Sequence, residues 1–528
     1  MLAARIHTNI TARHRALMLA ISAALSLGIA SHPCAQAFPA SINLGNLNGS
    51  NGFRLQSPAM GITSVSNVGD FNGDGFDDLI IGTDRASPNG TYSGASYVVF
   101  GKSTPFPPSL SLSSLNGSNG FRLDGVAADD HAGISVSSAG DINGDGIVDL
   151  IVGANGCDTN GNRSGSSYVV FGKNTPFPAT LALASLNGST GFRLDGFFAD
   201  DFSGRSVSAA GDVNGDGIAD LMVGADGADP SGSASGSTWV VFGKTTPFSA
   251  TVALSSLNGS DGFRLDGAAE FDYAGQSVAA AGDVNSDGIG DLIIGAHGAD
   301  PNGSLSGSSY VVFGKTTPFN VIVALSSLNG ANGFRLEGSF ASDWSGDSVS
   351  GAGDVNGDGI DDVIVGALFA GNNGSQSGSS YVVFGKATPF AATLALSDLN
   401  GSNGFRLDGV NTSNRFGASV RAAGDVNGDG VGDVIVGAPK SIAGNGYVVF
   451  GQRTPFSATF ALSSLNGSNG FRLDGVDAFN YAGQAVSSAG DINGDGIDEV
   501  ILSARTAAGS VSYVVFGRDT SAFRNGFE

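Results

Sequence analysis

Seven acidic loops of one pattern are the residues in this sequence best suited to chemistry. The pattern is D-x-N-x-D-G-x-x-D, and its first aspartate falls at positions 70, 141, 212, 283, 354, 425 and 491. Oxygens at loop positions 1, 3, 5 and 9 can converge on one centre, position 7 can offer a backbone carbonyl, and Gly at position 6 permits a sharp bend. Oxygen-only ligands with about three negative charges suit a hard cation. We expect Ca²⁺, because Mg²⁺ prefers a stricter octahedral geometry and retains more water.

The predicted ligands of each loop are four side chains and one carbonyl. They are Asp70, Asn72, Asp74, Phe76 and Asp78; Asp141, Asn143, Asp145, Ile147 and Asp149; Asp212, Asn214, Asp216, Ile218 and Asp220; Asp283, Asn285, Asp287, Ile289 and Asp291; Asp354, Asn356, Asp358, Ile360 and Asp362; Asp425, Asn427, Asp429, Val431 and Asp433; and Asp491, Asn493, Asp495, Ile497 and Glu499. Glu499 is longer than the aspartate it replaces, so the seventh site departs from the pattern. The loops are not EF-hands, because loop position 12, where an EF-hand has Glu, lies here in an apolar run.

The alternative to a metal site is an ordinary Asp/Asn/Gly turn. Two carboxylates ~5 Å apart repel by about 3 kcal/mol at an effective dielectric of ~20. Three carboxylates in one loop would therefore separate unless a cation held them. The sequence predicts up to seven Ca²⁺ ions with a structural role, each joining two neighbouring strands.

The loops recur with a period that identifies the elements holding them. The spacing between first aspartates is 71 residues five times and then 66. In the second repeat, apolar or alternating runs predict four strands, at 134–140 (A), 150–153 (B), 167–172 (C) and 192–196 (D). Seven units of four short strands indicate an all-β fold, a seven-bladed β-propeller with four-stranded antiparallel blades.

The phase of the repeat predicts how the ring closes. The Phe-Arg-Leu element of strand D occurs seven times, and its first copy precedes the first acidic loop. The last blade ends at 513–517 without a strand D after it. We therefore expect the segment Ile42–Leu55 to supply the outer strand of blade seven, within a propeller spanning 38–517 and followed by a short tail, 518–528.

The N-terminal 37 residues have the pattern of a secretory signal. Arg5, Arg13 and Arg15 precede an apolar run from Ala16 to Ala30, and Ala35-Gln36-Ala37 fits a cleavage site. A short membrane anchor is the alternative. After removal the chain would carry 22 basic and 48 acidic residues, a charge of −26, which argues against nucleic-acid binding. Only Cys157 would remain, so disulfides do not stabilise the mature chain.

One repeat contains a full set of motifs that identify a family. Arg415-Phe416-Gly417-Ala418 is followed by the sixth acidic loop and then by Val436-Gly437-Ala438-Pro439. This unit resembles the FG-GAP repeats of the integrin α-chain propeller, and the looser resemblance of the other units extends over about 40–517. The resemblance implies calcium in the A–B loops on one face of the propeller and ligand binding on the opposite face. FG-GAP repeats also occur in glycosylphosphatidylinositol-specific phospholipase D beside a separate catalytic domain, for which we find no counterpart here.

The D–A connections, which would lie on that opposite face, differ most between repeats. Equivalent places hold His131, Phe202, Tyr273, Trp344, Arg415 and Tyr481, and Phe197, Phe198, Phe271, Phe340 and Phe479 lie just before them. These side chains would form either an aromatic rim that stacks on a sugar or protein, or packing between blades.

Two functions remain open from the sequence. The first is an exported, monomeric adhesion or recognition module that binds an extracellular protein or glycan. The second is a secreted hydrolase with its site in the propeller funnel, for which Asp200, Asp201, Asp272 and Asp343 are candidate acids. None of the common nucleophile, metalloprotease or phosphate-loop motifs is present, which favours the first function.

Overall fold

The computed structural model describes residues 37–59, 61–506 and 509–520, and these form seven β-sheets arranged as the blades of a propeller. The expected signal segment up to residue 36 and the last eight residues of the tail lie outside the described residues. The described residues contain no α-helix, only three-residue 3₁₀ turns. None of these turns has the length or the apolar character needed to span a bilayer.

Each blade has three central strands in antiparallel order. From blade one to blade seven, strand A spans Ile62–Gly69, Val136–Gly140, Ser206–Gly211, Ser277–Gly282, Ser345–Gly353, Ser419–Gly424 and Val486–Gly490. Strand B spans Asp78–Thr83, Asp149–Ala154, Asp220–Ala225, Asp291–Ala296, Asp362–Ala367, Asp433–Ala438 and Glu499–Thr506. Strand C spans Ala95–Val99, Ser166–Val170, Ser237–Val241, Ser308–Val312, Ser379–Val383, Asn445–Val449 and Gly509–Val515. Strand B carries the apolar runs that the sequence predicts to be covered on both faces, and in blades one to six every residue of it is buried.

Strand D confirms the predicted closure of the ring. In blades one to six it spans Gly120–Asp124, Gly191–Asp195, Gly262–Asp266, Gly333–Glu337, Gly404–Asp408 and Gly470–Asp474. In blade seven it is Gly52–Ser57, which pairs antiparallel with Gly509–Val515 from the other end of the chain. The N-terminal segment thus completes the last blade.

All four predicted strands are present in each blade, and each sheet has in addition a fifth, outermost strand that the sequence did not predict. This strand comes from the connector between strands C and D of the following blade and pairs parallel to strand D. In blades one to seven it spans Thr180–Ala182, Thr251–Ala253, Ile322–Ala324, Thr393–Ala395, Thr459–Phe460, Ser41–Asn43 and Ser109–Ser111. A 3₁₀ turn follows each copy, at Leu44–Asn46, Leu112–Ser114, Leu183–Ser185, Leu254–Ser256, Leu325–Ser327, Leu396–Asp398 and Leu462–Ser464. The connector therefore fastens each blade to the blade before it.

The hydrophobic core consists of seven clusters, one between each pair of adjacent blades. In each, the phenylalanine of strand D stacks on a connector phenylalanine of the next blade at 4.1–4.6 Å between ring centroids. Phe53 on Phe106 makes this contact between blades seven and one. Phe38 on Phe471 makes it between blades seven and six. Because every interface has its own core, including the one where the chain ends meet, the ring has no open edge.

Hydrogen bonds near the axis also join the blades. The serine at the start of one strand A accepts a bond from the N–H of a valine in the next strand A, as Ser277 does from Val349 at 3.0 Å. The contact recurs at 3.0–3.2 Å from blade one through to blade seven. The inner strands are therefore held in register around the funnel.

Candidate calcium loops and the opposite face

All seven acidic loops lie between strands A and B, as predicted, and each is organised around its first aspartate. In the first loop, the two carboxylate oxygens of Asp70 accept the backbone N–H groups of Asp74 at 2.9 Å and Gly75 at 2.8 Å. The same pair of bonds, at 2.7–3.1 Å, holds the other six loops. The glycine at loop position 6 has φ between +74° and +90° throughout, which confirms its predicted role in the bend.

The aspartate at position 5 turns back onto the loop. Asp74 Oδ1 accepts the N–H of Phe76 at 3.1 Å, and the equivalent bond is 3.0 Å in the other loops. The structure thus fixes the backbone around position 7, while the use of its carbonyl as a ligand stays a prediction.

The acidic residue at position 9 is the most buried part of each loop. Asp78, the first of these residues, is fully buried and accepts bonds from Phe71 N at 3.2 Å and Gly101 N at 2.9 Å. Burial, with the nearby charges of Asp74 and Asp70, raises the pKa of Asp78 to about 8. Burial likewise raises the pKa of Glu499 in the seventh loop to about 10. A buried carboxylate beside two others is costly to ionise unless a cation compensates the charge.

The asparagine at position 3 supplies a direct test of whether a cation fits. In three loops its side-chain oxygen is buried and no donor among the described residues reaches it, namely at Asn72, Asn285 and Asn427. Such unsatisfied acceptors beside carboxylates match the ligand set that Ca²⁺ prefers. In two other loops, Asn214 and Asn356 accept the N–H of position 5. Asn143 and Asn493 donate their amide groups to the carboxylate at position 9.

The donors of each loop come from different chemical groups. Within 37–59, 61–506 and 509–520, no three His, Cys, Asp or Glu side chains by themselves form a metal-binding group. The predicted ligand set of each loop combines carboxylates with an amide and a carbonyl, and such a mixed set of oxygens would suit calcium.

A hydrogen bond that links neighbouring loops was not predicted from the sequence. The aspartate at loop position 8 accepts it. Asp77 Oδ2 accepts the N–H of Asp491 at 3.1 Å, which joins the first loop to the seventh. Asp361 bonds to Asp283 N in the same way at 2.9 Å, and Asp498 does so to Asp425 N at 2.7 Å. Position 8 is Val148, Ala219, Gly290 or Gly432 in the other loops, so no pattern marked it.

The C-terminal tail begins by contacting the sixth loop. Arg518 N donates to Val426 O, and Thr520 N donates to Asn427 O, both at 2.9 Å. Arg518 thereby repeats a contact that Lys102 makes in blade one, where Lys102 N donates to Ile492 O of the preceding blade.

The face opposite the acidic loops is built from the D–A and B–C connections. The six varied residues of the D–A connections share one backbone conformation, with φ between +52° and +57°. They are His131, Phe202, Tyr273, Trp344, Arg415 and Tyr481. One loop geometry thus presents five different kinds of side chain at six places around this face.

The aromatic residues of this face divide into a packed set and an exposed set. Tyr273 stacks on His297 at 5.3 Å, His297 lies 4.9 Å from Trp344, and Trp344 meets Phe369 edge-on at 4.8 Å, so these rings pack across blades. His297 and Phe369 come from B–C loops and were not identified from the sequence. Four further phenylalanines of the D–A connections are exposed, namely Phe198, Phe271, Phe340 and Phe479.

Three of the four acids proposed for a hydrolase have a structural use. Asp201 accepts the N–H of Phe198 at 3.0 Å, and Asp272 accepts that of Ala269 at 2.9 Å. Asp200 accepts the side-chain amide of Asn162 at 2.7 Å. These bonds fix the D–A turns.

A cleft of about 490 Å³ lies on this face between blades one and three. Its walls include Arg85, His131 and Arg205, together with the buried acid Asp84 and the partly buried acid Asp226. The His131 Nδ1 atom is 3.7 Å from Asp84, and Arg205 Nε is 3.8 Å from Asp226. Burial raises the pKa of both acids.

Comparisons with known proteins agree with the geometry. A model of the FG-GAP repeat matches six segments, at 62–99, 132–170, 203–241, 274–312, 345–383 and 416–450. Each segment covers strands A, B and C of one blade, from blade one to blade six.

Similar proteins include integrin α chains. The chain is 33% identical to integrin alpha pat-2 of Caenorhabditis elegans over 50% of its own length and 21% of the relative's. It is 27% identical to integrin alpha-PS2 of Drosophila melanogaster, over 34% of this chain and 13% of that one. It is also 27% identical to phosphatidylinositol-glycan-specific phospholipase D of Rattus norvegicus, over 38% of this chain and 22% of that one. The chain thus spans about a fifth or less of the length of these relatives. The protein is an FG-GAP repeat β-propeller that is similar in sequence to integrin α chains.

Proposed function

We propose that the protein is an exported, calcium-binding recognition module that acts as a monomer. Its A–B loops hold structural Ca²⁺, and its opposite face binds an extracellular protein or glycan. The expected secretory signal and the similarity to integrin α chains support an extracellular location.

The calcium part of the proposal rests on the chemistry of the loops. They bring together oxygen donors only, they bury one carboxylate each, and three of them contain an asparagine oxygen without a donor. Bound Ca²⁺ would compensate the buried charge and use the asparagine oxygens. It would also hold strand A against strand B in each blade.

The recognition part rests on one observation, the contrast between the two faces. The acidic loops repeat nearly the same residues, and the hydrogen bonds of the aspartates at positions 1 and 5 recur in every blade. The D–A connections keep one backbone conformation but vary their side chain from blade to blade. A scaffold that holds its loops constant while changing their side chains is the usual arrangement of a binding surface.

A binding assay with variants on each face tests this proposal. The probes are a panel of purified extracellular proteins, immobilised and incubated with the protein in Ca²⁺ or in chelator. We expect calcium-dependent binding that Arg415→Ala and Tyr481→Ala weaken. Lys244→Gln is the control, because Lys244 N contacts the acidic loop of a neighbouring blade on the other face. Binding that is equally sensitive to Lys244→Gln, or insensitive to the D–A variants, would contradict the proposal.

The arginine-lined cleft favours a secreted hydrolase as the second candidate. Asp84 is buried and Asp226 is partly buried. Both have raised pKa values, and the buried Oδ1 atom of each has no partner among the described residues. A carboxylic acid of raised pKa can serve as a general acid. Turnover of glycoside or ester substrates that Asp84→Asn and Asp226→Asn abolish would support this candidate, whereas turnover unaffected by both substitutions would exclude this cleft.

A further inference from the structure

A second cleft, of about 640 Å³, lies on the same face of D–A and B–C connections. Its lining differs in charge from that of the cleft that contains Arg85 and Arg205. The second cleft lies in blade five, between the D–A connection Phe340–Trp344 and the B–C loop Phe369–Gln376. Its lining includes one acid, Asp343, and no basic residue. Its volume lies within the range of small-molecule sites.

One side of the cleft is aromatic. The Phe340 side chain is 60% exposed although it is large and apolar. Trp344 and Phe369 meet edge-on at 4.8 Å, and the Arg415 guanidinium packs over the Phe369 ring at 4.8 Å. The cleft therefore offers aromatic surface that its own neighbours hold in place.

The other side of the cleft is polar, and one of its hydrogen-bond acceptors is incompletely satisfied. In three other D–A connections the aspartate equivalent to Asp343 accepts the N–H of the residue three positions earlier, as Asp272 does from Ala269. At Asp343 this bond is weaker. Burial raises the pKa of Asp343 and the N–H of Phe340 is close enough to oppose that rise, but no donor in the described part of the chain meets hydrogen-bond geometry at the buried Oδ2 atom. Asn372 lies nearby, and its amide is oriented by bonds to Ser379 and Asp408. A buried acceptor without a donor indicates a missing hydrogen-bond partner.

We propose that this cleft binds a neutral pyranose sugar, with the sugar's C–H face on Phe340 and Trp344 and its hydroxyl groups on Asp343 and Gln376. A pyranose combines an apolar face with hydroxyl donors at its edge, which is the combination that the cleft complements. A cationic ligand would have a single acid to pair with, and an anionic ligand would have no base among the lining residues. The lining therefore favours a neutral ligand. This inference rests on the proposed recognition function and names the ligand class of one sector of the same face.

The two tryptophans of the chain make the test specific. Trp239 is buried in strand C of blade three, at the position that Tyr97, Tyr168, Tyr310 and other tyrosines occupy in the remaining blades. The substitution Trp239→Tyr therefore installs the residue that the repeat already uses, and it leaves Trp344 as the single tryptophan. Its fluorescence then reports on the cleft alone.

The experiment titrates the Trp239→Tyr protein, in Ca²⁺, with methyl glycosides of galactose, glucose, mannose and N-acetylglucosamine. Phe340→Ala is the test variant. Phe198→Ala is the matched control, since Phe198 has the same loop position in blade three, is 61% exposed, and lies outside the cleft. We expect a saturable change of Trp344 emission with at least one sugar, about tenfold weaker binding in Phe340→Ala, and unchanged binding in Phe198→Ala.

Two outcomes would overturn the inference. One is the lack of a saturable response to every sugar while the melting temperature shows that the protein is folded. The other is a response that Phe340→Ala leaves unchanged. If the sugars fail while calcium-dependent binding to the protein panel persists, only the carbohydrate inference falls and the recognition function stands.

Discussion

The buried carboxylate of Asp78 accepts a hydrogen bond from the backbone N–H of Gly101 at 2.9 Å. Asp78 ends the first acidic loop, and Gly101 follows strand C of the same blade, so the bond ties the loop to a third strand. The equivalent bond is 2.9 Å long in each of the first six blades. A cation in the loop would therefore act on the hydrogen-bonding of the whole blade.

Replacing one buried loop carboxylate should remove one calcium ion. The Asp220 carboxylate accepts hydrogen bonds from the N–H groups of Val213 and Gly243. In Asp220→Asn the side-chain amide donor would lie against at least one of these N–H donors. We expect one fewer Ca²⁺ per chain by elemental analysis and a loss of about 1–3 kcal/mol in the free energy of unfolding. Asp129→Asn, an exposed acid of the D–A connection, is the control and should retain the full metal content. Equal metal content in the two variants would count against the assigned ligands.

Truncating Phe38 should weaken the closure of the ring. Its side chain is 3% exposed and stacks on Phe471 at 4.4 Å, where the N-terminal segment joins blades six and seven. Phe38→Ala is expected to cost about 3–5 kcal/mol in chemical denaturation, as for other buried phenylalanines. The exposed Phe198→Ala should change stability by no more than about 0.5 kcal/mol. Similar small effects in both variants would show that this segment does not secure the ring.

His297 should make stability depend on pH. Burial, together with the positive charge of Arg205, lowers the pKa of His297 to about 4. Between pH 6.5 and 4 the unfolded chain then binds more protons than the folded one, so stability falls as the pH falls through this window. The effect amounts to at most about 3 kcal/mol.

The variant His297→Phe keeps an aromatic ring between Tyr273 and Trp344 but cannot titrate. We expect the melting temperature of the natural protein to fall faster than that of the variant as the pH is lowered from 6.5 to 4. Parallel curves would show that His297 does not supply this dependence.

Ser286 should be a site of local strain. It occupies loop position 4 with φ +61°, where the other six loops have glycine with φ between +70° and +75°. Because a left-handed backbone costs a serine more than a glycine, Ser286→Gly is expected to raise stability by up to about 1 kcal/mol. Ser118→Gly, in an exposed turn where φ is not positive, is the control and should bring no gain. A melting temperature lowered by Ser286→Gly would contradict this account.

The sequence predicts the number of blades and their closure because both follow from a period that a single chain displays. Strand B, the glycines of the acidic loops and the outer strand of blade seven lie where the repeat places them. The fifth strand was missed because Ser109–Ser111 and its equivalents are at most three residues long, and their parallel pairing is not encoded in local alternation.

The face built from the D–A and B–C connections was predicted only in part, for a related reason. The D–A residues could be aligned between repeats, so Trp344 and Arg415 were found. His297 and Phe369 come from B–C loops, at positions where most of the other blades have no aromatic residue. Their contacts with Tyr273 and Trp344 arise only when the chain folds into packed blades. Asp343 was found as an acid, but its unpaired oxygen required the structure.

The most direct test of the account is a thermal melt of the full chain before and after removal of metal, with elemental analysis of the same samples. The account predicts up to seven Ca²⁺ per chain, a melting temperature that falls in chelator, and recovery when Ca²⁺ is returned. A melting temperature unmoved by chelator, in protein that contains no metal, would contradict it.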